Sequence, residues 1–192
     1  MNVEQHTIDR ILHRLAEPSA WVSRFSQLIA PGGSVLDLAS GQGRHVRWLA
    51  GRGFRVEAVD RDAEALATLA GLDGVLTRVA DLEEGPWPYY GRAFDAIVVT
   101  NYLHRPLLPQ IVNCLETGGV LIYETFMSGN ERLGKPSSPA FLLRSGELLE
   151  AVRNRLTVVA FEQGRVDTPK AAVIQRICAV KGATAELALP GG

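Results

Sequence analysis

The chain has 192 residues, long enough for one domain that buries a substantial core and needs no disulfide or metal to fold. Hydrophobic residues make up 46% of the sequence and charged residues 21%, values typical of soluble globular proteins. The formal net charge is −1, which argues against a dedicated nucleic-acid-binding protein because such proteins usually carry a basic excess.

The sequence shows no pattern typical of export or membrane insertion. No apolar run approaches the ~18 residues of a membrane span, and the N-terminal residues lack the apolar core of a secretory signal. We therefore expect a cytoplasmic protein without a membrane partner. Cys114 and Cys178 lie in apolar runs and are expected to be buried thiols in a reducing compartment. No metal site is predicted, because no ligand spacing is present.

Apolar periodicity predicts helices and strands that alternate along the chain. Residues 3–30 are expected to form one or two amphipathic helices, the second opened by Pro18. Further helices are predicted at 43–53, 61–72, 107–119 and 145–155. Strands are predicted at 34–39, 54–60, 74–80, 93–101, 120–126, 156–164 and 171–180.

The fold class follows from this alternation. The early strands are almost continuously apolar, as parallel strands covered on both faces are. Strand–helix alternation indicates a doubly wound, Rossmann-like α/β sheet with helices on both faces, and the last two strands form a hairpin. Residues 1–182 are expected to form a single domain, with 1–30 as a helical cap, and 183–192 a mobile tail.

The segment 127–144 is rich in Gly, Ser, Pro and Asn and follows a strand. A loop this long within a domain is usually functional or disordered. We expect a lid that closes over substrate, with Arg132 and Arg144 available for an acidic group. A plain surface connection is the alternative.

The stretch "VLDLASGQGRHVRWLA" (35–50) reads as strand, glycine-rich turn and helix. Gly41 and Gly43 permit backbone angles barred to other residues and let a ligand approach the main chain. Asp60 ends the next strand and is placed to accept hydrogen bonds from ribose hydroxyls. A nucleoside is therefore the predicted ligand. Val46 occupies the third small-residue position of the dinucleotide fingerprint, and the phosphate-loop signature is missing.

Five motifs in order resemble those of class I S-adenosylmethionine-dependent methyltransferases. They are "VLDLASGQG", "VEAVD", "VADLE", "FDAIVVTNYLH" and "LETGGVLIYETF", and they cover residues 34–126. The resemblance implies a mostly parallel seven-stranded sheet with an antiparallel C-terminal strand. The short chain and its "YETF" run are loosely similar to small bacterial members of the tellurite- and thiopurine-type. Ala39 departs from the family, which usually has its first glycine there, so we expect a slightly tighter pocket.

The resemblance also implies residues that bind S-adenosylmethionine. Asp37 and the turn would face the methionine part, Asp60 the ribose, and Asp81 the adenine amino group. The full implied set is Asp37, Ala39, Ser40, Gly41, Gly43, Asp60, Arg61, Asp81, Leu82 and Thr100. Structural alternatives remain: Asp37 caps the following helix, or Asp81 begins a turn.

Groups for the methyl acceptor are expected after the fourth and fifth strands. Asn101 ends the fourth strand, and His104 is the natural base, because histidine changes charge near neutral pH. Arg105 either grips an anionic substrate or pairs with Glu124. The alternative for His104 and Arg105 is a structural role at the helix start.

Three residues outside these strand ends are weaker candidates. Trp21 and Arg24 would either cover the pocket or serve only in packing, and His45 would contact the cofactor carboxylate.

The predicted activity is methyl transfer to a small molecule, with an anionic acceptor among the options. The run Asn101-Tyr102-Leu103-His104 lacks the two prolines of the family's adenine-amino methylases, which makes nucleic acid an unfavoured partner. A tRNA or protein substrate, a non-catalytic nucleoside-binding regulator and a nicotinamide-dependent oxidoreductase remain as alternatives.

Overall fold

A computed structural model describes residues 17–182 and 187–190, and a seven-stranded sheet forms its centre. The strands are β1 Ser34–Leu38, β2 Arg55–Asp60, β3 Val75–Val79, β4 Phe94–Thr100, β5 Leu115–Phe126, β6 Thr157–Val166 and β7 Ala172–Val180. The α-helices are α1 Ala20–Phe25, α2 Arg44–Ala50, α3 Ala63–Ala67, α4 Leu108–Asn113 and α5 Glu147–Val152.

The strand order is β3-β2-β1-β4-β5-β7-β6. Neighbours from β3 to β5 run parallel, whereas β7 is antiparallel to both β5 and β6. The predicted doubly wound sheet with an antiparallel C-terminal strand is therefore confirmed. Because the connections leave β1 and β4 in opposite directions along the sheet, a crevice opens at the carboxyl ends of these two strands, where α/β proteins bind ligands.

The sheet separates two cores, since alternate residues of a strand point to opposite faces. One core packs Trp21, Val46 and Leu66 against strand residues such as Val35 and Val98. The second core contains the residues of α4 and α5 and the strand side chains that point the other way, among them Leu36, Ile97, Ile111 and Leu148. Both faces of β1, β4 and β5 are covered, as predicted. β3 differs because it is an edge strand, and Leu76 is 68% exposed.

The region between β4 and β5 differs from the expected helix over 107–119. The helix ends at Asn113, and β5 begins at Leu115. Phe94 pairs with Leu115 but Ala96 pairs with Val120, so the chain bulges out between these two pairs. Gly118 has a φ of 82°. This glycine therefore serves a bend inside a strand and is not the stop signal of a helix.

The first described residue, Glu17, lies three residues before the start of α1. Ser19 caps this helix, and its side chain accepts a hydrogen bond from the Trp21 amide at 3.1 Å. The helix therefore begins at Ala20, two residues after the expected start at Pro18. The helices predicted within residues 3–16 lie outside the described residues, as does most of the predicted tail. No helix in the described ranges is long and apolar enough to cross a membrane. Cys114 and Cys178 are buried free thiols, as expected.

Candidate active site

The turn after β1 has three left-handed residues: φ is 53° at Ala39, 54° at Gly41 and 74° at Gly43. A Cβ at Gly43 would lie 2.5 Å from the Leu69 side chain, so close packing requires glycine there. A Cβ at Gly41 would meet nothing within 4 Å. Gly41 therefore borders open space and gives a ligand access to the main chain.

Asp60 fastens this turn to the carboxyl end of β2. Its Oδ2 accepts a hydrogen bond from the Gly41 amide at 2.8 Å, and its Oδ1 accepts one from the Asp62 amide at 2.9 Å. The Ser40 amide also donates to the Val59 carbonyl at 3.1 Å. Hydrogen bonds thus join the glycine turn and Asp60, the acid predicted to bind a ribose, into one unit.

A cleft of about 160 Å³ opens beside this unit. Its walls bring together residues from four segments: Ala39, Asp60, Arg61, Ala80, Asp81, Leu82, Glu83 and Tyr102. Five of the residues that the family resemblance implied for the cofactor line it. Tyr102 was not assigned to the cofactor from the sequence. The sequence feature that could have indicated Tyr102 is its position directly after Thr100 and Asn101, at the end of β4.

Asp81 begins the turn that was the structural alternative for it, and its contact with adenine stays a prediction. Its Oδ1 accepts hydrogen bonds from the amides of Glu83 at 2.8 Å and Glu84 at 3.1 Å, which builds the predicted turn. These amide bonds hold the pKa of Asp81 below its ordinary value. Among the described residues no donor reaches Oδ2, so this oxygen is available to a ligand amino group in the cleft.

Asp37 is only 1% exposed at the end of β1. Its Oδ2 has no hydrogen-bond partner among the described residues, and α2 carries no side-chain cap, so the capping alternative is not observed. Burial raises the pKa of Asp37 to about 8; the Arg44 charge lowers it, and Asp60 raises it. A buried carboxyl without a partner is costly. Asp37 Oδ2 is therefore available to a hydrogen-bond donor, and its contact with the cofactor stays a prediction.

His45 links the glycine turn to the N-terminal segment. Its Nε2 accepts a hydrogen bond from the Ser19 amide at 3.1 Å, so Nδ1 carries the proton and faces Thr100 Oγ1 at 3.4 Å. Burial lowers the pKa of His45 to about 3, with a further contribution from the Arg44 charge. The ring is neutral and both nitrogens face protein groups, which does not favour the expected contact with a cofactor carboxylate.

Glu124 lies at the carboxyl end of β5 and has two partners. The Ser19 hydroxyl donates to Oε1 at 2.7 Å, and Arg176 Nη1 donates to Oε2 at 3.1 Å. The Arg176 guanidinium carbon lies 4.6 Å from the centre of the Trp21 ring. The expected pairing of Arg105 with Glu124 is therefore wrong, because Arg176 on β7 pairs with this carboxylate.

Trp21 is a packing residue. It is 3% exposed, and its Nε1 donates to the Ile177 carbonyl at 3.2 Å. Arg24 follows on the same helix, with its guanidinium carbon 5.0 Å from the centre of the Phe25 ring. Neither residue lines the cleft.

The residues expected to face the methyl acceptor follow β4. Asn101 is exposed with a φ of 55°, and its amide donates to the Glu124 carbonyl at 2.9 Å. His104 is half-buried before a short 3₁₀ helix and makes no side-chain hydrogen bond with another described residue. Its charge contributes to the lowered pKa of Asp81, so the two side chains lie within electrostatic reach of each other.

Arg105 does not face the pocket mouth as expected. Its Nε and Nη2 donate to the two carboxylate oxygens of Glu147 at 2.7 and 3.0 Å. Its Nη1 and Nη2 also donate to the carbonyls of Ala140 and Leu142, each at 2.8 Å. Burial alone would raise the pKa of Glu147, but the hydrogen bonds from Arg105 and the Arg144 amide hold it below its ordinary value. Arg105 thus clamps a loop, and we do not retain it as a substrate-binding residue.

The loop 127–144 is ordered at both ends. Met127 and Leu143 form an isolated bridge, and buried Asn130 bonds to the Pro136 carbonyl and the Val173 amide. Arg144 pairs with Glu147 and Glu150 on α5, so it does not offer a free charge to an acidic ligand. The middle of the loop, which includes Arg132, is mostly exposed, and its closure over a substrate stays a prediction.

The groups around the turn fit the cofactor of the resembled family. The cleft offers carboxylates for a ribose and an adenine amino group, and the turn offers unpartnered oxygens for a cationic group. Within the described ranges no cluster of three or more metal-binding side chains occurs.

Comparisons with known proteins agree with this geometry. Residues 9–165 match a family model described as a methyltransferase domain. TehB from Haemophilus influenzae superposes with a TM-score of 0.67 at 21% identity, over 83% of this chain and 61% of that one. This chain thus spans less than two thirds of TehB.

Two further solved structures are similar over most of both chains. A TehB-like SAM-dependent methyltransferase from Corynebacterium glutamicum superposes with a TM-score of 0.65 at 20% identity, over 93% of this chain and 96% of that one. The glycopeptide N-methyltransferase MtfA, in complex with S-adenosylhomocysteine, superposes with a TM-score of 0.61 at 19% identity, over 86% of this chain and 90% of that one. No curated protein matches the sequence. The family model covers most of the chain, so the chain belongs to the methyltransferase-domain family, and its resemblance to class I S-adenosylmethionine-dependent methyltransferases is confirmed.

Proposed function

We propose that this protein transfers a methyl group from S-adenosylmethionine to a small molecule. One observation carries the proposal: Asp60 at the end of β2 and Asp81 after β3 line a cleft with Ala39 of the left-handed turn, and Asp37 just before this turn has an unpartnered carboxyl oxygen. In a member of the methyltransferase-domain family, this arrangement matches a ligand with a nucleoside at one end and a cation at the other.

Each wall of the site has a separate task in this proposal. When bound, S-adenosylmethionine supplies a methyl group already activated on a sulfonium. Asp60 and Asp81 accept hydrogen bonds from the ribose and the adenine amino group, and Asp37 and the turn hold the amino-acid end. The carboxyl ends of β4 and β5 then border the acceptor, which the protein must orient and shield from water.

His104 and Asn101 are the proposed acceptor-side residues. The His104 ring makes no hydrogen bond with another described residue. In this proposal it takes the proton of an acceptor whose nucleophile must lose one. The exposed Asn101 amide orients the acceptor. Arg105 acts indirectly, because it holds the loop after β5 against α5. A small acceptor is supported by the fold shared with a glycopeptide N-methyltransferase.

Calorimetry with S-adenosylhomocysteine and with NAD tests the cofactor. We expect binding of the first alone; binding of NAD alone would favour an oxidoreductase. Asp60→Ala should weaken binding of S-adenosylhomocysteine about tenfold to a hundredfold, because charge-assisted hydrogen bonds are lost. Asp73→Ala, at an exposed acid outside the cleft, is the matched control.

A methyl-transfer screen against metabolites, thiols, proteins and tRNA tests the acceptor. Transfer to a small molecule supports the proposal, whereas transfer to tRNA or protein alone contradicts its acceptor class. Binding without transfer to any of them favours a regulatory nucleoside-binding protein. On the identified acceptor, His104→Ala should lower turnover while cofactor affinity stays near that of the wild type. Full activity in that variant would remove His104 from the mechanism.

A further inference from the structure

The two edges of the sheet differ in how they are protected from pairing with another chain. β6 forms one edge and carries the exposed, charged Glu162 and Arg165 and an irregularity in its pairing between Val158 and Ala160. Charges and bulges are the usual devices that keep a free edge from pairing. β3 forms the other edge, pairs regularly with β2 and contains neither proline nor glycine. β3 therefore lacks most of the protection that β6 has.

β3 also exposes apolar side chains to solvent. Its sequence is "VLTRV", and the exposed fraction is 68% for Leu76 and 60% for Val79. Its single charged residue, Arg78, is already paired, because Nε donates to Glu57 Oε1 on β2 at 3.0 Å. Within the described ranges no strand lies beyond β3. An apolar edge whose one charge is neutralised is a template for a further strand.

The hydrogen bonds with β2 show which backbone groups of β3 point outward. The Val56 amide donates to the Gly74 carbonyl at 2.8 Å, and the Ala80 amide donates to the Asp60 carbonyl at 3.0 Å. Alternate residues of a strand direct their amide and carbonyl groups to opposite sides, so the even-numbered residues of β3 bond to β2. The odd-numbered residues face the open edge. These are Val75, Thr77 and Val79.

We propose that two copies of this chain associate by antiparallel pairing of β3 with β3, about a two-fold axis at Thr77. The partner is a second copy because the strand is nearly a palindrome: a valine lies two residues before Thr77 and another two residues after it. A two-fold interface uses the same surface of both subunits, and this symmetry suits it. The inference does not depend on the proposed function.

This register satisfies the outward backbone groups. Opposed residues of a hydrogen-bonded antiparallel pair exchange both of their amide–carbonyl bonds. Thr77 and the partner's Thr77 form such a pair, and the Val79 amide meets the partner's Val75 carbonyl. The Val75 amide needs no partner from the second copy, because it donates to the Leu72 carbonyl at 3.2 Å. The residues that face the open edge are therefore the ones that the axis brings together.

The side chains match in the same register. Val75, Thr77 and Val79 share one face of β3, because alternate side chains of a strand point the same way. The axis gathers these β-branched side chains from both copies, and such cross-strand pairs stabilise antiparallel sheets. On the other face Leu76 lies opposite the partner's Arg78. Glu57 of the same chain holds that arginine's charge, and its apolar stem covers the leucine.

Sedimentation velocity at increasing protein concentration tests the association. We expect the wild type to change from monomer to dimer. Thr77→Lys and Thr77→Glu each place two like charges opposite each other at the axis, so each variant alone should remain monomeric. An equimolar mixture of the two should dimerise, because the charges that meet are then opposite. Thr77 is exposed and lies outside the cleft, and a Tm near that of the wild type will show that each variant is folded.

Val158→Lys, at an exposed position of the opposite edge, is the matched control and should dimerise as the wild type does. Thr77→Pro removes the central outward amide and supplies a further variant that should remain monomeric. A dimer that persists in Thr77→Lys, or that Val158→Lys abolishes, overturns the inference, as does a mixture that stays monomeric. A wild type that is monomeric at every soluble concentration also overturns it. Protection of the Thr77 amide from hydrogen exchange in that monomer would show that another segment of the same chain covers β3.

Discussion

Ala39 has a φ of 53° in the glycine turn, a left-handed conformation that costs an L-residue with a Cβ roughly 1–2 kcal/mol. Ala39→Gly removes this strain, and the greater freedom of glycine in the unfolded chain offsets part of the gain. We expect the free energy of unfolding to rise by up to about 1 kcal/mol, measured by urea denaturation. Ala67→Gly, in α3, should lower it by a similar amount. A loss of stability in Ala39→Gly would show that the alanine methyl group makes a packing contact worth more than the strain.

Asp37 should make the ligand-free protein less stable as pH rises. Burial raises the pKa of its carboxyl group to about 8 from 3.8. Below about pH 4 the group is protonated in both states and costs nothing. Between about pH 4 and 8 the unfolded chain loses the proton that the folded chain keeps, so stability falls; above about pH 8 the penalty is complete.

Asp37→Asn removes this penalty. The variant should unfold in urea with a free energy a few kcal/mol above that of the wild type at pH 8.5, and with a much smaller difference at pH 5. Asp73→Asn, at an exposed site, should show no such change with pH. An Asp37→Asn advantage of the same size at both pH values would mean that the pKa of the Asp37 carboxyl is not raised in the folded protein.

The sequence located some of these residues and missed others for a physical reason. The acids Asp37, Asp60 and Asp81 end or follow strands, and strand ends can be read from the apolar pattern alone. Tyr102 and the partner of Arg105 were not predictable in this way. Arg105 and Glu147 are 42 residues apart, and their contact depends on how a loop folds back onto α5.

At the scale of elements, the Arg105–Glu147 pair joins the loop 127–144 to α5. Arg105→Ala leaves two backbone carbonyls without their donor, and buried Glu147 keeps only the Arg144 donors, so we expect a loss of about 2 kcal/mol in the free energy of unfolding. Backbone amides near the clamp, including those of Ser128 and Leu143, should exchange hydrogen faster.

Arg153→Ala provides the comparison, because Arg153 is exposed next to α5 and pairs with no described side chain. It should leave hydrogen exchange in the loop unchanged. If Arg105→Ala instead raised the substrate KM while loop exchange and stability stayed normal, Arg105 would be a substrate-binding residue after all.

The elements themselves were predictable where local pattern decides them. Strands β1, β2 and β4 match their apolar runs, and α2 begins after the glycine turn. The region 107–119 was not predictable, because Gly118 and Gly119 resemble a helix stop locally, whereas pairing with β4 makes this segment part of β5. Tertiary pairing outweighed local propensity there.

At the scale of the whole molecule, the cleft gathers residues that follow β1, β2, β3 and β4. These strands are hydrogen-bonded neighbours in the middle and on one side of the sheet, with cores on both faces. A ligand held by all four segments should therefore stabilise the whole domain and not a single loop. Strand alternation predicted this common edge, because parallel strands place their carboxyl ends together.

Thermal unfolding tests that coupling. A ligand that binds only the folded state adds about 2.7 kcal/mol at a concentration of 100 times its Kd. One kcal/mol shifts the Tm of a domain of this size by about 2–4 °C. S-adenosylhomocysteine at that concentration should therefore raise the Tm by about 5–10 °C, and NAD should not. At the same absolute concentration, Asp60→Ala should lose part of this shift, because its Kd is higher. A bound ligand that leaves the Tm unchanged would show that the site lies in a region that opens before the sheet unfolds.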